Sequence, residues 1–152
     1  MKYIFIAFCI LYLFSSFTRG VGMATLSGRS ASGRTVFNAE LESYVTLEKA
    51  ELVIDNEKIK FTSGDRCYVT FDADDKVFTL HLESEANGNF DTLRYAELWA
   101  VPSSFKEIST EGTSFSVLYT FTARLKARDP RKGKYYNTPL ITLDCKLGYT
   151  NP

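Results

Sequence analysis

The chain has 152 residues, 45% of them hydrophobic and 14% aromatic, with 18 basic against 18 acidic side chains and a formal net charge of zero. That balance excludes a non-specific nucleic-acid binder, whose affinity comes mainly from neutralising phosphates. The length suits one domain with a core of its own.

At the N-terminus Lys2 precedes an apolar run from Tyr3 to Phe14, followed by Ser15 and Ser16. This pattern predicts a secretory signal peptide and a secreted or periplasmic protein. It is too short for a transmembrane span, because crossing about 30 Å of hydrocarbon takes roughly 20 residues. Thr18 with Gly20, or Gly22 with Ala24, supplies the small residues before a cut, so cleavage falls after Gly20 or after Ala24. Cys9 sits in mid-run behind Phe8 and leaves with the signal. Removal of residues 1–20 takes Lys2 and Arg19 away, leaving 16 basic against 18 acidic side chains.

Residues 21–34 (VGMATLSGRSASGR) are rich in Gly, Ser and Arg, and are predicted to be a flexible leader to a single β domain over 35–150. Within that domain Phe37, Ala39 and Leu41 alternate with Val36, Asn38 and Glu40 as a first strand. Residues 50–62 form a hairpin if Asn56 and Glu57 make its turn, which sets Ile54 opposite Ile59, Leu52 opposite Phe61 and Asp55 opposite Lys58.

The most informative stretch is Cys67 to Ser84 (CYVTFDADDKVFTLHLES). A turn at Asp74 and Asp75 places Phe71 opposite Phe78, Val69 opposite Leu80 and Cys67 opposite Leu82, so one face is wholly apolar. The other face is mixed polar, as expected against water.

Residues 93–101 are apolar on both parities, which suggests a central strand, and Glu97 needs a partner if buried. Ser104 and Glu107 have capping-box spacing for one short helix through about Ile108. From Ser114 to Lys126 the alternation is clean, with Phe115, Val117, Tyr119, Phe121, Ala123 and Leu125 inward and Leu118 the one apolar residue outward. Residues 140–149 pair with that strand, and Ile141, Leu143, Cys145, Leu147 and Tyr149 share its inner face. Eight strands joined mostly by turns predict an all-β fold, an antiparallel β-sandwich or alternatively a closed β-barrel.

Cys67 and Cys145 both point inward, and an exported chain meets an oxidising environment, so one disulfide between them is expected. Closing a loop of residues 78 apart stabilises by roughly 4 to 5 kcal/mol in the chain-entropy picture.

Signals for chemistry are sparse. Asp72, Asp74, Asp75 and Glu83 concentrate carboxylates, yet Lys76 and Val77 stand where a calcium loop wants a ligand and a glycine. A turn built of aspartates is the reading, with no metal and no cofactor. His81 is the one histidine, on an outward parity, and no Ser or Cys has a nucleophile context. The chain is therefore read as no enzyme.

The most distinctive exposed stretch is the loop over 126–139, where Arg131 and Lys132 precede Tyr135 and Tyr136. Long loops on rigid sheets often bind, basic groups attract anions, and tyrosines give rigid contact area. Those four residues are the candidate binding site. The expected function is an exported, non-catalytic binding domain for a protein or anionic polymer. The alternatives are a surface component self-associating through strand edges, with the strand from Ser114 the one to watch, or an inhibitor of a secreted enzyme. A carrier of a small apolar ligand is disfavoured because the inward set is crowded with aromatics.

Overall fold

The computed structural model describes residues 22–43, 45–84, 93–133 and 137–151. The expected signal peptide, Lys134, Tyr135 and Tyr136 lie outside those residues, as does the side chain of Lys132.

Ten strands follow one another: β1 (Met23–Arg29), β2 (Thr35–Glu42), β3 (Thr46–Ile54), β4 (Glu57–Thr62), β5 (Arg66–Asp72), β6 (Val77–Glu83), β7 (Tyr95–Ala100), β8 (Lys106–Ile108), β9 (Val117–Arg128) and β10 (Ile141–Thr150). They make a single antiparallel sheet in the order β4-β3-β2-β1-β10-β9-β7-β6-β5, with β8 pairing β9. The sheet curls into a half-barrel. Among the described residues all ten strands belong to this one sheet, so the expected sandwich of two facing sheets is not confirmed.

The core lies on the concave side. Period-two alternation places Leu26, Phe37, Leu52, Phe61, Phe78, Leu80, Leu98, Phe121, Leu125, Leu143 and Leu147 there, each at most 3% exposed, while their strand neighbours face outward. The outer surface of β2, β3 and β4 carries ion pairs between Lys49 and Glu40 (3.0 Å) and between Lys58 and Glu51 (3.2 Å).

The β5–β6 ladder has the register that the apolar pattern predicts, with Phe71 opposite Phe78, Val69 opposite Leu80 and Cys67 opposite Leu82. The β3–β4 hairpin differs: Ile54 pairs Glu57, Leu52 pairs Ile59 and Ala50 pairs Phe61. Its turn residues are Asp55 and Asn56, at φ 52° and 69°. A two-residue hairpin turn of this hand needs positive φ at both central positions, which Asp and Asn tolerate better than Glu. The ladder is slipped by two residues from expectation, which keeps every side chain on its expected face. Asp55 meets Arg34 (2.7 Å) instead of Lys58.

Half of the expected leader is strand, β1. β1 lies between β2 and β10 in the middle of the sheet, with Ala24 and Leu26 fully buried. Its third inward position is Gly28, opposite Cys145, where an added Cβ would stand 2.8 Å from the Cys145 sulfur.

The helix expected after Pro102 is also replaced. Pro102–Ser104 is a single 3-10 turn, and Lys106–Ile108 is β8. Ser104 Oγ donates to the Val101 carbonyl (2.6 Å) and accepts from the Thr122 amide (2.8 Å), so it stitches the turn to β9 instead of capping a helix. β7 is central, as expected, with Ala96, Leu98 and Ala100 inward and Glu97 exposed.

Both remaining cysteines are free thiols, Cys145 buried and Cys67 partly so. The expected disulfide does not form. β5 and β10 are not neighbours: β9, β7 and β6 lie between them in the sheet order, whereas a disulfide needs Cα atoms within about 7 Å. Both thiols do face the apolar interior, as inferred. Burial pushes the Cys67 thiol up to about 11. It pushes that of Cys145 up to about 12, with the neighbouring Asp144 carboxylate adding to the effect.

Candidate functional site: the apolar mouth of the half-barrel

Connectivity decides where the half-barrel is open. Alternating directions through the sheet order give β4 and β5, its two ends, the same sense, and only residues 63–65 separate them. The Asp65 carboxylate caps the Thr62 amide (2.8 Å) and the Asp65 amide donates to the Thr62 carbonyl (2.9 Å), which holds this corner.

The two free edges are treated differently. On β4, Ile59 and Phe61 are 1% exposed. The Arg94 guanidinium donates to the Lys60 carbonyl (2.7 Å) and sits over the Phe61 ring, 5.8 Å from its centroid. On β5 the inward residues Cys67 and Val69 are only partly buried and Phe71 is 36% exposed. β5 has no ladder partner on its outer edge among the described residues.

Beside that edge opens a cavity of about 470 Å³ lined by Val45, Val69, Phe71, Val117, Tyr119, Tyr149 and Asn151. Val45, at the corner between β2 and β3, is 54% exposed. The floor is aromatic. Phe71 lies 5.1 Å from Tyr149 and 5.4 Å from Tyr119 between ring centroids, and Tyr119 in turn lies 5.1 Å from Phe105, which stacks on Phe121. The inward aromatics therefore do fill much of the interior, but their chain of contacts reaches the surface at Phe71. Cavities that hold small ligands or single side chains run from about 300 Å³ upward and are mostly apolar with a few polar groups. This one has the two tyrosines and Asn151.

The rim is acidic. Desolvation raises the Tyr119 phenol above its ordinary value, and the carboxylates of Glu107 and Asp74 raise it further. At the end of β5, Asp72 Oδ1 accepts from the amides of Asp74 and Asp75, both at 3.0 Å. Those aspartates build the turn, as expected. No group of metal-binding side chains is found among the described residues.

A second depression, of about 380 Å³, over β2, β3 and β4 is lined by Glu40, Lys49, Glu51 and Lys60 among others. Its charges already pair with one another. His81 lies on the outer face, where its Nε2 meets Glu83 Oε1 at 2.8 Å and its ring is stacked near Tyr95 and tilted toward Tyr68.

Of the four residues proposed from sequence, Arg131 is the one whose side chain is described. It follows Pro130 in a 3-10 turn that ends at Gly133, φ 63°. Its Nε donates to Asp129 Oδ1 (3.2 Å), and its amide donates to the same oxygen (3.1 Å). Asp129 is fully buried. Arg131 thus neutralises a buried carboxylate, a role in the fold that its exposure in sequence did not suggest. Nothing in the sequence singled out Val45, Phe71 and Tyr149 together, because they meet only when the sheet curls.

No helix among the described residues is long and apolar enough to cross a membrane. No protein-family model matches the chain, and neither the curated proteins nor the solved structures give a match.

Proposed function

We propose that the protein is an exported, non-catalytic binding domain that takes an apolar group into the mouth between Val45 and Phe71. The observation that carries this is the partly exposed aromatic floor of a cavity of about 470 Å³ at the uncovered end of the sheet. Large apolar side chains left in contact with water at a concave site gain free energy when a ligand covers them, about 25 cal/mol per Å². The polar groups present are two phenols and an amide, and Tyr119 is held further from ionisation than a free phenol. Such groups orient a ligand and do not activate one.

Export rests on the N-terminal sequence. Cleavage after Gly20 leaves all of β1 in place, whereas cleavage after Ala24 would remove Met23 and Ala24 from it, which favours the first site.

The test is fluorescence of N-phenyl-1-naphthylamine, a neutral apolar dye, titrated with the mature domain. A saturable rise that Val45→Glu abolishes at unchanged melting temperature supports the mouth. A rise that Val45→Glu leaves intact, or no rise, overturns it.

A further inference from the structure

The two edges of the sheet suggest what kind of ligand the mouth takes. Backbone N–H and C=O groups along a strand edge are strong hydrogen-bonding groups, and proteins normally cover or blunt them. Arg94 does so for β4, binding the Lys60 carbonyl and shielding Phe61. β5 has no such cover among the described residues, and its burial runs from exposed to half-buried along its whole length. Its ladder partner β6, by contrast, buries Phe78, Leu80 and Leu82 to 1% exposure or less. Of the inward side chains of β5, Val69 and Phe71 are open beside the cavity, while β3 approaches the strand elsewhere. A strand added there would pair with the free edge, and alternate side chains would fall toward Val69 and Phe71.

Charge narrows the occupant. The turn after β5 carries Asp72, Asp74 and Asp75 against one Lys76, and Glu107 pairs with Tyr119 in the β8–β9 ladder. A chain running antiparallel to β5 enters beside this acidic end, where a cation is attracted and an anion repelled.

We infer that the mouth accepts an extended peptide segment of a partner protein, added as a strand to the β5 edge, with an apolar side chain between Val45 and Phe71 and a basic residue beside the Asp72–Asp75 turn. The inference rests on the mouth being the binding site.

The experiment uses the mature domain and a short peptide blocked at both ends, two lysines followed by alternating threonine and apolar residues. Three companions accompany it: one with glutamates for the lysines, one N-methylated at alternate residues facing the edge, and one N-methylated at the intervening residues. Binding is read by competition with N-phenyl-1-naphthylamine and by amide hydrogen exchange.

The expected result is displacement of the dye with slowed exchange along Cys67–Asp72. One N-methylated companion should bind roughly tenfold or more weakly, since it loses its main-chain hydrogen bonds to the edge, and the other about as well as the parent. The glutamate companion should bind several-fold more weakly at low salt, the difference shrinking as salt rises. Equal binding of all four peptides would overturn the strand pairing while leaving the mouth as an apolar site. So would a dye that binds but that no peptide displaces. If the domain instead dimerises with concentration and β5 becomes protected without peptide, the occupant is a second copy and the inference fails. Absence of dye and peptide binding together would remove the mouth itself.

Discussion

The Phe115 ring lies directly over Gly148: a Cβ built on that glycine meets the ring at 2.5 Å. Gly148 faces outward on β10 opposite Leu118, which is 6% exposed although it is the one apolar residue on the outer face of β9. Phe115 therefore belongs to a small outer cluster and not to the inward set in which its parity placed it. The chain between Phe115 and Val117 is irregular, with the Ser116 amide bonded to the Tyr149 carbonyl (2.7 Å), and this breaks the alternation.

Gly148→Ala should accordingly displace the ring and cost about 1–3 kcal/mol, the usual range for overpacking a tight contact. In a Phe115→Ala background the same change should cost well under 1 kcal/mol, because its obstacle is gone. Urea unfolding of the four proteins of this cycle measures the coupling. Additive costs would show that the ring is not what confines Gly148.

The free thiols make a second prediction. The mature domain, which lacks Cys9, should take up two equivalents of iodoacetamide after unfolding and almost none while folded at pH 8, since both thiols ionise well above the ordinary value of 9.0. Each thiol holds its proton more tightly in the folded state than in the unfolded one. The contribution to stability is complete below about pH 9 and is lost as pH rises toward 11 and 12. A Cys67→Ala/Cys145→Ala variant should show a shallower loss of stability over that window, read by urea titrations at successive pH values. A mass two units low with no alkylation after unfolding would mean that the thiols are bridged.

Several features of the fold were legible because one physical constraint was enough. In β5 and β6 a wholly apolar face pins the register, since a one-residue slip of β6 would expose Phe78, Leu80 and Leu82 together. In β3 and β4 a two-residue slip keeps the faces unchanged, so hydrophobic pattern is blind to it and turn chemistry at Asp55 decides. β1 escaped detection because its inward positions are Ala24, Leu26 and Gly28: the missing side chain of Gly28 is the space that Cys145 fills. The mouth was illegible for a different reason. It depends on which strands end the sheet and how they meet, and no local stretch of sequence carries that.

The β3–β4 turn allows a direct check of that explanation. With Asn56 at φ 69°, Asn56→Ala should destabilise by about 1 kcal/mol, the cost of a left-handed conformation for a residue with a Cβ and no compensating side chain. Asn56→Gly should be neutral or slightly stabilising, because glycine takes this conformation without strain. Thermal unfolding of the two variants beside the parent settles the order. An alanine variant as stable as the glycine one would mean that the turn is not at Asp55 and Asn56.

The remaining prediction concerns Arg131, which sequence alone marks as a binding residue. Its guanidinium and amide both donate to Asp129, a carboxylate with no exposed surface. Burying a carboxylate is tolerable only while its hydrogen bonds and counter-charge are present. Arg131→Ala should therefore lower stability by about 1 kcal/mol, discounted because the guanidinium itself is 56% exposed. Asp129→Ala should cost more, because it removes the acceptor that holds the turn from Pro130 to Gly133. The double variant should be no less stable than Asp129→Ala alone, since Arg131 then has no carboxylate to satisfy. Partner capture lost on replacing Arg131 would in this light be ambiguous unless melting temperature is unchanged. Arg131→Lys provides the control: it keeps the charge near Asp129 and the backbone bond while removing the Nε donor, so it should recover part of the stability. A fully stable Arg131→Ala protein would instead leave the side chain free to serve the loop as a contact residue.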